Sequence, residues 1–170
     1  MHLNITAKIN LNKSLTQVSD LPVIYKSENI LIQGSNIVYK WKNKKNESFF
    51  VSGYVIGERS INDKIIPVKN LKFFETQKSL HNFEGRYVCV KVSESGVCEV
   101  YCDNYSRSDI YWLNINDTFL ISTTLSDLPI KDEYAEIDQI GLAQALTIYG
   151  SRPLKKHTLY KKVKRLRVNE

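Results

Sequence analysis

Alternating apolar and polar residues dominate the first third of the chain and predict strands. In the segment 3–9, Leu3, Ile5, Ala7 and Ile9 alternate with polar residues, which is the period of a half-buried strand. Later segments are short apolar runs bounded by turn residues such as Pro22 and Gly34. The predicted strands before position 57 cover residues 3–9, 23–25, 30–32, 36–41 and 48–56.

The pattern changes after Pro67, where apolar residues recur at helical spacing over 68–78. Alternation returns at 86–92, and Ser-Glu-Ser-Gly at 93–96 predicts a hairpin turn into 97–102. Residues 110–115 and 118–122 predict a second hairpin across Asn116 and Asp117.

The last third predicts one helix and an extended tail. A helix is predicted over 137–149, with Asp138 as N-cap and Gly150 as C-terminal cap. Its apolar face is predicted at Ile140, Ala143, Leu146 and Ile148. Apolar and basic residues alternate over 158–168, which favours a last strand or extended arm. The element order predicts an α+β fold with helices packed on sheet faces.

Length and composition place the chain among globular domains. It has 170 residues, 42% of them hydrophobic and 25% charged, so we expect one domain over 1–170 rather than a disordered chain. No apolar run has the length of a membrane span, and residues 1–8 do not read as a signal peptide. The odd count of three cysteines fits a reducing compartment, so we expect a cytoplasmic protein.

The positive charge is local. The net charge is +6, but residues 151–170 hold eight Lys or Arg and one acid, which leaves the first 150 residues at −1. A solvated or partner-facing edge explains such a segment. Nucleic-acid binding is a more specific alternative. Such sites usually place several aromatic residues among the basic ones for stacking on bases, but here only Tyr160 lies within the basic segment. Membrane-surface association is disfavoured because the apolar face is thin.

Motifs for metal, nucleotide or hydrolase chemistry do not occur. His2, His81 and His157 are far apart, and Cys98 and Cys102 lack the spacing of a zinc pair. No phosphate-binding glycine loop and no Gly-x-Ser-x-Gly elbow is present. We therefore expect no metal and no cofactor.

Four segments from position 83 onward share the pattern of one family. Phe-Glu-Gly-Arg-Tyr-Val-Cys-Val at 83–90 resembles L-x-G-x-F-A-F-A, and the stretch 103–112 resembles D-R-F-G-x-R-P-L-Y-Y. Residues 119–128 are similar to F-x-F-A-S-E-L-K-A-L, and 158–166 to T-x-F-x-G-I-x-R-L. In this order they resemble the N-terminal glutaminase domain of asparagine synthetases. A looser match places 51–57 at that family's N-G-E-I-Y-N strand.

The resemblance implies an Ntn-hydrolase-type fold, a four-layer αββα sandwich of two antiparallel sheets, and the site of a class II glutamine amidotransferase. In active members the cysteine after the initiator Met attacks the glutamine amide as a thiolate. The Asn and Gly of N-G-E help form the oxyanion hole, and its Glu belongs to the substrate pocket.

Most of the positions that carry this chemistry differ here. His2 follows Met1 where the nucleophilic cysteine is expected, Ser52 replaces the Asn, and Tyr54 replaces the Glu. Only Gly53 is retained. Without a nucleophile that forms the covalent intermediate, the remaining binding groups cannot restore turnover. We therefore expect no catalytic residue and no glutaminase activity.

The resulting expectation is a catalytically inactive glutaminase-like scaffold. Its partner would be an asparagine-synthetase-like, ATP-dependent synthetase domain or subunit that forms an amide or a ring, as in β-lactam or lasso-peptide synthesis. Alternatives are a glutaminase domain that retains some activity, and a nucleic-acid module using the basic tail. The sequence is also compatible with a homo-oligomer. The docking residues expected in the basic segment are Lys161, Lys162, Lys164, Arg165 and Arg167.

Overall fold

The protein is an α+β chain composed mainly of strands, as the pattern predicted. The computed structural model describes residues 5–10, 20–34, 38–56, 65–66, 84–103, 105, 107–130, 134–147 and 157–166. These residues form two antiparallel sheets, one α-helix and one 3₁₀ turn at Leu125–Asp127. The strands are β1 (Ile5–Asn10), β2 (Val23–Lys26), β3 (Ile30–Gly34), β4 (Tyr39–Lys42), β5 (Ser48–Ile56), β6 (Ile65–Ile66), β7 (Glu84–Val92), β8 (Cys98–Cys102), β9 (Tyr111–Ile115), β10 (Thr118–Ser122) and β11 (Lys164–Arg165).

The chain divides into two compact units. One comprises Met1–Ile5 and Gly34–Ser108, and the other comprises Thr6–Gln33 and Asp109–Glu170. The expectation of a single domain over 1–170 stays a prediction.

The first unit is built on a five-stranded sheet with the order β4-β5-β7-β8 and β6 paired to β5. β5 has the predicted bounds, and it pairs with β7 along its whole length, from Ser48 opposite Val92 to Ile56 opposite Glu84. Four consecutive residues of β7 are buried, so both faces of this central strand are covered. The turn before β8 is closed by backbone hydrogen bonds from Ser93 N to Val97 O and from Gly96 N to Ser93 O.

The second unit is built on a six-stranded sheet with the order β11-β9-β10-β1-β3-β2. The predicted hairpin of β9 and β10 is confirmed. Asn116 and Asp117 both have positive φ, 44° and 63°, which is the requirement of a type I′ turn. A buried cluster supports this hairpin and joins it to the tail through Val163. Its buried members are Leu113, Leu120, Leu128 and Val163.

Helix α1 (Gln139–Leu146) is shorter than the predicted helix over 137–149. Asp138 caps it as predicted, since its Oδ1 accepts hydrogen bonds from Ile140 N at 3.0 Å and Gly141 N at 3.1 Å. Thr147 occupies the C-cap position that the sequence assigned to Gly150, which lies outside the described residues.

The predicted packing of α1 is wrong. Ile140, Ala143 and Leu146 are exposed, Ile148 lies outside the described residues, and within α1 only Gly141 is buried. Hydrophobicity alone does not determine which side of a short helix packs. Here the buried side is the side where the backbone of residue 158 approaches closely, and only glycine leaves room for it.

The tail is described over residues 157–166, where a bridge joins Tyr160 to Ile137 and the two-residue strand β11 pairs with β9. The sequence predicted a last strand or an extended arm over 158–168, and residues 167 and 168 lie outside the described residues. The predicted helix over 68–78 lies outside the described residues. Nowhere in the part of the chain that is described does a helix combine the length and apolar character needed to cross a bilayer.

Candidate functional site

The three site positions of β5 lie in the middle of the five-stranded sheet. Ser52 faces Val88, Gly53 faces Tyr87 and Tyr54 faces Arg86 on β7. Ser52 is fully buried, and its Oγ has no hydrogen-bond partner. The position where the resemblance expects an amide therefore holds a small, enclosed hydroxyl.

Gly53 keeps a conformation that only glycine adopts with ease. Its φ is 122°, and a Cβ built there would lie 2.7 Å from Cα of Tyr87 and collide with the carbonyl oxygen of Arg86. Gly53 is thus required by close approach of two strands. This packing reason is sufficient without any role in an oxyanion hole.

Tyr54 is exposed, with 40% of its surface accessible. Its ring does not fill a buried pocket, and a phenol supplies no carboxylate to bind the amine of an amino acid. Met1 and His2, the other predicted site residues, lie outside the described residues. The structure therefore places Ser52, Gly53 and Tyr54 consecutively on one strand, where they pair with Val88, Tyr87 and Arg86.

Two cysteine thiols of the first unit, those of Cys89 and Cys98, are poor nucleophiles. Burial raises the pKa of Cys89 far above its usual range. Burial and the neighbouring Glu99 carboxylate raise the pKa of Cys98 to about 12. Since the thiolate is the attacking species, neither residue is an activated thiol. Within the described ranges, no group of three His, Cys, Asp or Glu side chains is arranged to hold a metal ion.

A buried carboxylate at the end of β8 is a feature that sequence reasoning did not single out. Asp103 is 2% exposed, and its Oδ1 accepts hydrogen bonds from the backbone N–H of Tyr105 at 3.2 Å and of Arg107 at 3.1 Å. Arg107 extends over the exposed Tyr105 ring at 4.8 Å and donates from Nη1 to the carbonyl of Gly85 at 3.3 Å. An Asp that precedes a polar turn is the signal for this Asx-type loop. Its role here is to shape the loop.

A second network joins β7, β8 and the residue that precedes β5. Lys91 Nζ lies 2.9 Å from Glu47 Oε1 and 2.8 Å from Glu99 Oε2. The hydrogen bonds from Lys91 hold the pKa values of both carboxyl groups below their usual range. The same contacts, first with Glu99 and then with Glu47, raise the pKa of Lys91. All three charges are satisfied, so the network is structural rather than catalytic.

Four of the five predicted docking cations are described, and each has a partner within the chain. Lys161 Nζ is 2.7 Å from Glu136 Oε1, and Arg165 Nη1 is 3.3 Å from Asp109 Oδ1. Lys164 Nζ is 4.0 Å from Asp138 Oδ2, and Lys162 Nζ lies 4.8 Å from the centre of the Tyr134 ring. Arg167 is outside the described residues. These contacts reduce the charge that Lys161, Lys164 and Arg165 offer to another molecule.

Asp138 is the point where the tail is attached to helix α1. Its Oδ2 lies 3.3 Å from Nδ1 of His157, and its backbone N–H donates to the carbonyl of Leu159. Burial opposes ionisation, but the N–H of Gly141, His157 and the N–H of Ile140 together hold the pKa of Asp138 below its usual range. The only described histidine is therefore engaged in a capping contact.

The described residues define an α+β protein of two antiparallel sheets, with Ser52, Gly53 and Tyr54 side by side on β5. No protein-family model matches the chain, and no curated protein matches it.

Proposed function

We propose that this chain is a non-catalytic, glutaminase-like scaffold domain with the four-layer αββα arrangement of Ntn hydrolases. Its partner is an ATP-dependent, asparagine-synthetase-like domain or subunit that forms an amide bond or a ring. The family assignment comes from the four segments between 83 and 166.

The positions of those segments in the structure support the proposal. The segment 83–90 supplies most of β7, the central strand of its sheet, and 119–128 begins on β10 and ends at Leu128 in a buried cluster. Part of the match is therefore made by buried residues, since Gly85, Tyr87 and Leu128 are buried, whereas Phe119 is 40% exposed. A resemblance carried by the core is what is expected when a fold persists and its chemistry is lost.

The side chains on β5 are the main support for the proposal that the domain is not catalytic. Hydrolysis of glutamine needs a donor beside the developing oxyanion and a group that binds the substrate's amino end. Ser52 is enclosed in the sheet and Tyr54 is exposed without a carboxylate, so these side chains meet neither need. The raised pKa values of Cys89 and Cys98 remove those two thiols as replacement nucleophiles.

Two assays test the proposal with the full chain. The first measures glutamate released from glutamine, and we expect none above a sample without protein. Turnover on the order of 1 per second, an ordinary enzymatic rate, would contradict the proposal and favour a working glutaminase.

The second assay uses the purified product of a neighbouring reading frame that carries the ATP-site motif Ser-Gly-Gly-x-Asp-Ser. We expect the two proteins to co-elute and the ATP-dependent reaction to require this chain. A synthetase that works equally well without the chain would overturn the scaffold role. Binding of DNA or RNA that falls steeply with salt would favour the nucleic-acid alternative instead.

A further inference from the structure

One face of the five-stranded sheet changes from buried to exposed where β7 begins. Ser52 and Val88 oppose each other on this face, and both are buried. The next opposed pair on the same face, Tyr54 and Arg86, is exposed. Residues two apart along a strand share a face, so the half-buried Glu84 belongs to this face as well. We define the β7-end patch as Tyr54, Glu84 and Arg86.

The two charges of the patch are not satisfied within the described part of the chain. Neither the Glu84 carboxylate nor the Arg86 guanidinium forms an ion pair with a described residue. Lys91, on the same strand, differs in this respect because it binds two carboxylates. A guanidinium carries five N–H donors and a carboxylate two acceptor oxygens. One donor group and one acceptor group are therefore open to another molecule, two positions apart on one strand.

A second exposed ring lies beside the patch. Arg107 Nη1 donates to the carbonyl of Gly85 at 3.3 Å, and standard peptide dimensions then place this nitrogen within about 6 Å of Cα of Arg86. Arg107 lies over the Tyr105 ring at 4.8 Å, and Tyr105 is 62% exposed. Tyr and Arg are the residue types that are enriched at the centres of protein interfaces. The composition of this surface is therefore that of a protein contact.

The balance of charge indicates which partner fits. The segments 84–86 and 103–107 contain two Arg, one Glu and one Asp, so they carry no net charge. Nucleic acids and anionic membranes are held by an excess of positive charge, which these segments do not supply. One acid and one base that lie on the same face without partners are instead complementary to a second copy of themselves.

We infer that a second copy of this chain binds at the β7-end patch, about a two-fold axis that passes beside Gly85. Across such an axis Glu84 faces the partner subunit's Arg86, and Arg86 faces the partner subunit's Glu84. Residues two apart on a strand are separated by about 6.6 Å, so both ion pairs form together. The Tyr54 and Tyr105 rings lie at the margin of the contact and supply apolar area. The inference goes beyond the proposed scaffold function and does not depend on it.

Sedimentation velocity of the full chain over a dilution series measures the dissociation constant of the dimer. We expect Arg86→Glu to weaken the dimer at least about tenfold, because it replaces two attractive pairs with two repulsive ones. Lys44→Glu is the matched control, since it reverses an exposed charge beyond the opposite end of β5, and it should leave the dissociation constant unchanged. Equal losses for the two variants would overturn the inference. So would a wild-type chain that stays monomeric up to about 100 μM, where a dimer with a micromolar Kd is assembled.

Exchange of the two charges tests the reciprocal pairing. We expect Glu84→Arg to weaken the dimer as Arg86→Glu does, and the double variant with both substitutions to restore it. A mixture of the two single variants should form a heterodimer, because one then presents two acids and the other two bases. Thermal unfolding of each variant checks that the fold is retained. Failure of the double variant or of the mixture to dimerise would contradict reciprocal pairs.

The outcomes separate this inference from the proposed function. A monomeric chain that co-elutes with the synthetase and is required for its reaction would overturn the dimer and leave the scaffold standing. A dimer that responds to the charge exchange as expected, but that hydrolyses glutamine, would support this surface and overturn the scaffold.

Discussion

The carbonyl group of Thr158 occupies the space in which a side chain of Gly141 would lie. A Cβ at position 141 would collide with the Thr158 carbonyl oxygen and approach its carbon to 3.2 Å. Thr158 is held by its own hydrogen bonds, from its Oγ1 to the carbonyl of Val163 at 2.8 Å and from Tyr160 N to that Oγ1 at 3.0 Å. The tail and helix α1 therefore pack through backbone, and a small residue is required at their contact.

Gly141→Ala is expected to destabilise the protein although it improves helix propensity. Propensity alone favours Ala by about 1 kcal/mol, whereas overpacking against a fixed backbone costs about 1–3 kcal/mol. Urea unfolding followed by circular dichroism measures the net change. Ala143→Gly, at an exposed position of α1, is the control and should cost about 1 kcal/mol. An increase in stability for Gly141→Ala would contradict the close contact.

Two buried serines are expected to respond oppositely to alanine. Ser52 Oγ has no partner, while Ser122 Oγ accepts a hydrogen bond from Thr124 N at 3.1 Å. Removal of an unsatisfied buried hydroxyl is neutral or stabilising, and removal of a bonded one costs about 1 kcal/mol. We expect Ser52→Ala to match or exceed the wild-type free energy of unfolding and Ser122→Ala to fall below it. Equal losses would indicate that Ser52 is hydrogen-bonded.

Introducing on β5 the amide that the proposed family carries is expected to give no activity. Ser52→Asn adds volume at a position with no accessible surface, which costs about 1–3 kcal/mol by overpacking. Thermal unfolding measures the loss, and the glutaminase assay should stay at background. A variant as stable as the wild type would show that the sheet has room for an amide.

The network of Lys91 is expected to contribute to acid unfolding. The pKa values of Glu47 and Glu99 lie below their ordinary value of 4.5 in the folded protein. Their stabilisation is therefore complete above pH 4.5 and is lost as the pH falls through the lowered values. Unfolding free energies measured from pH 7 down to pH 3 should decline over this window.

Lys91→Met is expected to flatten that decline. It lowers stability at pH 7 by about 1 kcal/mol or less, since solvent screens partly exposed charges, and it removes the cause of the lowered carboxyl pKa values. Lys161→Met is the control, because Lys161 and Glu136 form an exposed pair with side chains 62% and 53% accessible. An unchanged pH dependence in Lys91→Met would refute the role of the network.

Alkylation of cysteine is expected to report the raised thiol pKa values. At pH 8 we expect iodoacetamide to modify Cys89 and Cys98 much more slowly in the folded protein than in urea, because little thiolate is present. Mass spectrometry of tryptic peptides assigns each product. Modification of Cys98 at the rate of the unfolded chain would contradict its raised pKa and reopen the question of a reactive thiol.

Local chemistry was sufficient to predict much of the backbone. Asn116 and Asp117 tolerate positive φ, and this identified the hairpin of β9 and β10. The β-branched and aromatic content of 48–56 identified β5, and an Asp before an apolar segment identified the cap at position 138. Each signal acts within a few residues, so it is visible in a linear sequence.

The tertiary structure decided which of these residues are buried or paired. The sequence predicted a packed face at Ile140, Ala143 and Leu146, but the contact of Gly141 with a carbonyl 17 positions away turns those residues outward. It gave no sign that Arg165 reaches Asp109 or that Lys161 reaches Glu136, and the docking role of these residues stays a prediction. These partners are distant along the chain. Their proximity results from the pairing of strands and segments, which brings together groups whose separation in sequence carries no signal.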